Sequence, residues 1–234
     1  MHSIDTFVQA YKAEHPEEVV PCTKTVYNLI DECKLDIRNI DLPRKVTIRE
    51  RNSTPSKPKG TNTKKLGNSI DERPESVLTR KEGGHWEADF IKGKKNIGEA
   101  ALLTLVERKT RASIIKKVPN FEAATTLQAL EEVITTVGAH HFKSITFDNG
   151  AEFSEAWKLD QLNVDIYFAH AYASWERGSN ENFNGLVREF IPKGISINLY
   201  TEKEIQEIED CLNMRPRKIL GYLSSGEAYA MMAA

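Results

Sequence analysis

The sequence predicts an α/β fold in which a mixed β-sheet is flanked by helices, preceded by a small helix-turn-helix-like segment and a basic linker. Three strand-like segments follow one another after residue 85, and helical and strand-like segments then alternate. Helical periodicity also occurs before residue 42. The stretch in between is rich in proline and polar residues and has almost no apolar periodicity. The predicted domains are 1–42, 43–84 and 85–234.

The first segment contains two helical patterns separated by a turn. Apolar residues recur at helical spacing up to Pro16 and again after Thr23. They are Ile4, Phe7, Val8 and Tyr11 in the first helix, and Val26, Leu29 and Ile30 in the second. The pair is compatible with a partial helix-turn-helix that contacts DNA, and also with a helical pair that binds nothing.

The linker carries most of the positive charge of the chain. Between Pro43 and Lys65 there are eight basic residues and one acidic residue, so this stretch is +7 and the remainder is −9 of a total of −2. The basic residues are Arg44, Lys45, Arg49, Arg51, Lys57, Lys59, Lys64 and Lys65. The charge fits a solvated tether or an arm that neutralises DNA phosphates. In the second interpretation Arg44, Lys45, Arg49 and Arg51 are candidate DNA contacts.

Other patterns exclude several protein classes. No apolar run approaches the roughly 20 residues of a membrane-spanning helix, and the start lacks the pattern of a secretory signal. The three cysteines, Cys22, Cys33 and Cys211, are widely spaced, which argues against a disulfide framework and a zinc ribbon. We therefore expect a cytoplasmic protein without a membrane partner.

The folded domain is predicted element by element from its apolar patterns. Strands are expected where apolar runs are short, and helices where apolar residues recur every three to four positions. The predicted strands are 85–92, 100–108, 112–118, 142–147 and 165–169. The predicted helices are 121–137, about 153–161, 178–190, 201–213 and 224–232.

Acidic side chains lie on one face of the first of these strands. Because side chains alternate along a strand, His85, Glu87 and Asp89 share one face of the sheet. Trp86, Ala88 and Phe90 share the other. Carboxylates on a central strand indicate an exposed face, a salt bridge or a functional site.

Two further carboxylates stand at positions that suit a site. The fourth strand ends in Asp148-Asn149-Gly150, which is an ordinary turn signal and also the end of a strand where open α/β sheets hold ligands. In the helix that follows Gly178, Glu181 lies on a different face from the apolar stripe, so it faces either a cleft or solvent. The stripe consists of Phe183, Leu186, Val187 and Phe190, whereas Asn184 and Arg188 lie with Glu181.

Together the three carboxylates predict a metal site. Asp89, Asp148 and Glu181, if they meet in one cleft, form an oxygen-rich cage suited to Mg²⁺ or Mn²⁺. Two such ions about 4 Å apart can activate an attacking oxygen and stabilise the leaving oxygen of a phosphodiester. Metal binding would relieve the repulsion between the clustered charges.

The order of these residues resembles a known family. Asp89 is followed by Asp148 in Phe-Asp-Asn-Gly-Ala-Glu-Phe, and then by Glu181, 33 positions later, in Ser-Trp-Glu-Arg-Gly-Ser-Asn-Glu-Asn-Phe-Asn-Gly-Leu-Val-Arg. This resembles the DDE motif of the retroviral-integrase superfamily and, more narrowly, the bacterial insertion-sequence transposases of the insertion sequence thirty family. Gly-His-Trp-Glu-Ala-Asp before the first carboxylate and Leu-Asn-Met-Arg-Pro-Arg-Lys near the end support it. The resemblance covers about residues 83–232.

The resemblance implies a fold, an activity and partners. It implies a ribonuclease-H-like integrase core whose Asp89, Asp148 and Glu181 bind two Mg²⁺ or Mn²⁺ ions. Relatives cut and rejoin DNA at the inverted repeats of an insertion sequence, so inverted-repeat ends, target DNA and further copies of the chain are the expected partners. The expected location is the bacterial cytoplasm, at the nucleoid. Candidate DNA contacts in this part of the chain are Arg177, Asn184, Arg188, Arg215 and Arg217, each of which could instead be a helix-surface or salt-bridge residue.

Alternatives remain at this point. The resembling part begins partway through the family's helix-turn-helix region, which predicts impaired recognition of the repeats and allows a truncated, inactive remnant. The chain could also be a DNA-binding protein without catalysis, in which the helical pair and the basic arm bind DNA. A nuclease for RNA:DNA hybrids fits less well, because the motif after Trp175 speaks against it.

Overall fold

A computed structural model of the protein describes residues 3–42, 66–94, 96–170 and 173–233. The described residues form two compact units. The smaller unit contains residues 3–42 and 215–223, and the larger contains residues 66–214 and 224–233.

The smaller unit is built on the two predicted helices. Helix α1 spans Ile4–Glu14 and helix α2 spans Thr23–Asp31. Ser3 caps α1 by accepting a hydrogen bond from the Thr6 amide, which satisfies one of the free N–H groups of the first turn. Val8 and Ile30 are buried, and Thr23 donates to Asp5. Short 3₁₀ turns lie at Asn39–Asp41 and Lys218–Leu220. Both helices are confirmed, whereas a DNA-contacting role for them stays a prediction.

The larger unit is organised by a six-stranded mixed sheet. Its strands are β1 (Asn68–Ser69), β2 (His85–Lys92), β3 (Ala101–Glu107), β4 (Ser113–Val118), β5 (Ser144–Phe147) and β6 (Asp165–Phe168). The spatial order is β1-β6-β5-β2-β3-β4. Strand β3 is antiparallel to β2 and β4, while β2, β5, β6 and β1 run parallel. The five strands predicted from the sequence are confirmed to within two residues at each end.

Among the described residues, five helices accompany the sheet. They are α3 (Glu75–Thr79), α4 (Ala123–Val137), α5 (Gly178–Val187), α6 (Glu202–Asn213) and α7 (Ser225–Ala233). The helix predicted near 153–161 is instead two 3₁₀ segments, Ala151–Phe153 and Ala156–Leu162. Helix α5 ends before Phe190, although this ring still packs against the core. Within the described part of the chain, no helix combines the length and the apolar character that crossing a bilayer requires.

Each face of the sheet has its own hydrophobic core. On one face Trp86, Ala88 and Phe90 pack with α4. On the other face Ile91 packs with residues of α5 and α6. Every residue of β3 is buried, as expected for a strand covered on both sides, and this explains its mostly apolar sequence. The predicted fold class, a mixed sheet flanked by helices, is confirmed.

The described part of the predicted linker is folded, which corrects the expectation of a flexible stretch over 43–84. Strand β1 pairs with β6, Val77 is buried, and Leu66 packs against the core. Arg73 is also buried and donates a hydrogen bond to Thr146 of β5 at 3.1 Å. Such anchors are single residues without periodicity, so the sequence pattern does not reveal them. The basic residues between 43 and 65 lie outside the described residues.

Helix α6 covers the edge strand β4. The Asn213 side chain accepts from the Ser113 amide at 2.9 Å and donates to the Ser113 carbonyl at 2.8 Å. A Glu209 oxygen accepts from the Ile115 amide. Side chains of α6 therefore occupy hydrogen-bonding places that a further strand would otherwise fill. Burial raises the pKa of Glu209.

Candidate active site

Two neighbouring parallel strands bring Asp89 and Asp148 together. Strands β2 and β5 are paired with Glu87 opposite Thr146, and the same register continued by two residues places Asp89 beside Asp148. Neighbouring strands lie about 4.8 Å apart, so the two carboxylates leave the sheet side by side. This juxtaposition was predicted from the sequence.

Arg177 bridges the two carboxylates. One guanidinium nitrogen, Nη1, lies 3.6 Å from Asp89 Oδ1, and the other, Nη2, lies 3.3 Å from Asp148 Oδ2. Nη1 also donates to the Ala88 carbonyl at 3.2 Å. The Arg177 side chain is 11% exposed, compared with 26% for Asp89 and 36% for Asp148. One cationic group thus neutralises part of a half-buried pair of like charges.

The remaining carboxylate oxygens are oriented by hydrogen bonds. The Asn184 side chain of α5 donates to Asp89 Oδ2 at 2.9 Å, and the Thr104 hydroxyl of β3 donates to Oδ1 of the same Asn184 side chain at 3.0 Å. The Gly150 amide donates to Asp148 Oδ1 at 3.0 Å. Contacts from the sheet, from the turn after β5 and from the helix thus hold both carboxylate side chains in place.

Burial raises the pKa of Asp148, and the negative charge of Asp89 adds to that shift. The Arg177 guanidinium opposes it, because a nearby positive charge favours the ionised carboxyl. A further positive charge at this place would favour the ionised pair more strongly.

Glu181 lies on α5 but apart from the pair. It is four residues after Arg177 and three before Asn184, both of which contact the carboxylates, so helical spacing puts Glu181 on the same side of the helix. Its side chain is exposed. In the described ranges, no group of three acidic, histidine or cysteine side chains is close enough to hold a metal ion. The structure thus brings two of the three predicted metal ligands together, and the role of Glu181 stays a prediction.

Glu87 shares the strand face of Asp89 but belongs to the protein interior. It is completely buried, forms an ion pair with buried Arg108 and accepts a hydrogen bond from the Asn180 amide at 3.1 Å. Its carboxylate is satisfied by these groups. The salt-bridge interpretation therefore holds for Glu87, whereas Asp89 points into the site.

The candidate DNA contacts differ in their partners and in the part of the chain to which they belong. Arg177 and Asn184 are engaged with the carboxylates, and Arg188 donates to the Lys92 carbonyl at 2.8 Å. Arg215 and Arg217 lie in the smaller unit. The candidates of the basic arm, Arg44, Lys45, Arg49 and Arg51, lie outside the described residues. A role in DNA binding stays a prediction for all of them.

Sequence reasoning missed the groups that hold the carboxylates. It assigned Arg177 and Asn184 to DNA binding, although their spacing around Glu181 could have indicated that all three lie on the same side of α5. It also missed Glu152, which lies near Asp148, contributes to its raised pKa and forms an ion pair with Lys92 at 3.1 Å. No pattern in the sequence distinguishes Glu152 from a surface residue.

The chain is similar in sequence to proteins named as transposases of insertion sequences. Residues 79–175 match the family model described as the integrase core domain. The chain is 47% identical over 232 residues to a probable transposase for the insertion-like sequence element IS1161 of Streptococcus salivarius, covering 99% of this chain and 65% of the relative. It is 42% identical over 161 residues to the transposase for IS4351 of Bacteroides fragilis, covering 68% and 48%. It is 35% identical over 162 residues to the transposase InsI for IS30A of Escherichia coli K12, covering 69% and 42%.

The chain thus spans less than two thirds of the length of these relatives. Among solved structures, the catalytic core domain of HTLV-2 integrase in complex with magnesium, in a trimeric form, matches 62% of this chain and 94% of its own, with 16% identity and a TM-score of 0.47. The family match and the observed sheet agree with the ribonuclease-H-like fold that the resemblance implied. The family match and the names of these relatives do not favour the alternative of a DNA-binding protein without catalysis.

Proposed function

Since this chain belongs to the family of insertion-sequence transposases with an integrase core domain, we propose that it is a DDE-type polynucleotidyl transferase. In this proposal it cuts and rejoins DNA at the inverted-repeat ends of an insertion sequence. The observation that carries the proposal is the juxtaposition of Asp89, within β2, and Asp148, directly after β5, with α5 beside them. We expect it to act in the bacterial cytoplasm, on DNA, and as a homo-oligomer.

The residues of the site suit divalent cations. Asp89 and Asp148 offer hard oxygen donors side by side, and their shared contact with Arg177 indicates that this place attracts positive charge. Glu181 would supply a third carboxylate from α5. When bound, Mg²⁺ or Mn²⁺ ions, two in this family, supply activation of the attacking oxygen and stabilisation of the leaving oxygen.

The reaction has two balanced steps. In cleavage, a water oxygen bonds to phosphorus, the bond from phosphorus to the 3′ oxygen breaks, and a free 3′-hydroxyl remains. In strand transfer, that hydroxyl attacks a phosphodiester of target DNA and displaces another 3′ oxygen. In both steps the nucleophile loses a proton to solvent and the leaving 3′ oxygen takes one up. Asn184 and the Gly150 amide would keep the carboxylates in one orientation through both steps.

Plasmid nicking tests this proposal. Supercoiled plasmid that carries the flanking repeats of the reading frame is incubated with the full chain and Mn²⁺ or Mg²⁺. Cleavage should depend on the cation, and Asp148→Asn should slow it at least about a hundredfold, because stabilisation of several kcal/mol is lost. The matched control is Asp165→Asn, since Asp165 is exposed at the opposite end of the neighbouring strand β6. Cation-dependent cleavage that survives in Asp148→Asn would refute the assignment.

A further inference from the structure

Arg177 occupies the place that the proposed function gives to a cation. Its guanidinium contacts Asp89 Oδ1 and Asp148 Oδ2, one oxygen from each strand. Its Nε is buried and lacks a hydrogen-bond partner among the described residues. The side chain is therefore held mainly by the two carboxylates and the Ala88 carbonyl, with one buried donor unsatisfied.

A guanidinium and a divalent cation cannot both occupy this position. They would use the same carboxylate oxygens, and a cation bound there would place like charges within a few ångströms of each other in a half-buried site. Entry of the cation therefore requires Arg177 to leave.

Arg177 lies next to open space at the start of α5. It is the last residue of a 3₁₀ segment, Ser174–Arg177, and Gly178, which follows it, has nothing within 4 Å of the place where a Cβ would stand. Asn184 and the Gly150 amide also hold the two carboxylates, and these hydrogen bonds do not depend on Arg177. A released guanidinium at the mouth of the site is suited to a DNA phosphate, which it can bind through two parallel hydrogen bonds.

We propose that Arg177 is a tethered counter-ion that competes with the divalent cation for Asp89 and Asp148 and is transferred to a DNA phosphate when the cation binds. The inference rests on the proposed function. Its consequence is coupling: DNA that holds Arg177 removes the competitor, so DNA and the cation strengthen each other's binding by the same factor.

Calorimetric titration of the full chain with Mn²⁺ tests the competition without any measurement of activity. Arg177→Gln should bind Mn²⁺ on the order of tenfold more tightly than the unsubstituted chain, since coupling energies between sites are of this size. Arg177→Lys keeps the charge but has a single ammonium group, so its affinity should lie between the two. The matched control is Arg188→Gln, because Arg188 donates to the Lys92 carbonyl; its affinity for Mn²⁺ should not change.

Fluorescence anisotropy of a labelled short duplex, at constant ionic strength, tests the transfer. Mn²⁺ should tighten the binding of duplex to the unsubstituted chain severalfold, and Arg177→Gln should lose this gain. An equal gain in both proteins would overturn the transfer to DNA.

A third variant separates failure of the inference from failure of the proposed function. If Asp148→Asn abolishes Mn²⁺ binding while Arg177→Gln binds no more tightly than the unsubstituted chain, the competition is wrong and the carboxylate site stands. If Asp148→Asn binds Mn²⁺ as tightly as the unsubstituted chain, the carboxylate site and the inference both fail. They also fail if neither the unsubstituted chain nor any variant binds Mn²⁺ at millimolar concentration. Circular dichroism confirms that each variant is folded, and Arg177→Lys provides the same comparison should Arg177→Gln unfold.

Discussion

Two acidic residues of one strand illustrate how burial decides the role of a residue. Glu87 and Asp89 share a face of β2 and are separated by one position. Glu87 is completely buried, and Arg108 and the Asn180 amide satisfy it, while Asp89, two residues further along β2, stays partly exposed beside Arg177. Alternation along the strand predicts the shared face. It cannot predict which of the two side chains is completely buried, because that depends on packing between distant segments.

Loss of the Glu87 carboxylate should destabilise the fold. Glu87→Ala leaves Arg108 buried without its partner, so the free energy of unfolding in urea should fall by about 3–5 kcal/mol. Asp89→Asn is the matched control on the same face, and it should lose Mn²⁺ binding while unfolding close to the unsubstituted chain. Unfolding of Glu87→Ala at the same urea concentration as the unsubstituted chain would contradict a buried structural pair.

Helix α6 shows how one element completes another. The edge strand β4 has amide and carbonyl groups that none of the described strands pairs, and Glu209 and Asn213 satisfy several of them. The helix was predicted at nearly its observed bounds from its apolar stripe, which includes Ile205, Ile208 and Leu212. Its polar contribution was not predicted, because charged residues on an amphipathic helix usually face solvent.

Stability should depend on pH through Glu209. Burial raises its pKa in the folded state, so the folded chain binds that proton more tightly than the unfolded chain. The stabilisation that Glu209 contributes is fully present at pH values below the ordinary pKa of glutamate. It is lost as the pH rises through the raised pKa of the folded state. Glu209→Gln keeps an acceptor for the Ile115 amide without a charge. The thermal midpoint of Glu209→Gln, measured relative to that of the unsubstituted chain, should increase as the pH rises from 4 to 8.

The control for that measurement is Glu207→Gln. Glu207 is exposed on the same helix, so its substitution should leave the pH dependence as it is. A constant difference in thermal midpoint between Glu209→Gln and the unsubstituted chain across the pH range would contradict a raised pKa of Glu209.

At the scale of the whole molecule, the sequence predicted the layers better than the connections. Apolar runs revealed the strands and the amphipathic helices because both faces of the sheet are covered. Strand β1, with two residues, and Arg73, anchored by Thr146, leave no pattern to detect. In the site, Asp89 and Asp148 were predicted from the order of the motifs, but the bridge by Arg177 depends on distances that only the folded chain defines.

The uneven distribution of charge predicts how DNA binding responds to salt. If the basic arm contacts phosphates, replacing Arg44, Lys45, Arg49 and Arg51 by Gln should lower the slope of log affinity against log salt by roughly 3 to 4, since each contact contributes about 0.9. The slope is measured by anisotropy of a labelled duplex over a range of salt concentrations. Lys193→Gln with Lys203→Gln, both exposed in the larger unit, is the control. An unchanged slope would show that the arm is a solvated tether.

The parallel pairing of β2 with β5 also determines when the site can exist. Asp89 and Asp148 are 59 positions apart in the sequence, and they become neighbours only through that pairing. A ribosome-bound chain that has not yet exposed Phe147 holds the first carboxylate without the second, and Glu181 follows 33 residues later. Non-local pairing of this kind forms slowly, after the intervening segments have emerged. A chain still in synthesis is therefore without its carboxylate pair until most of its length has been translated.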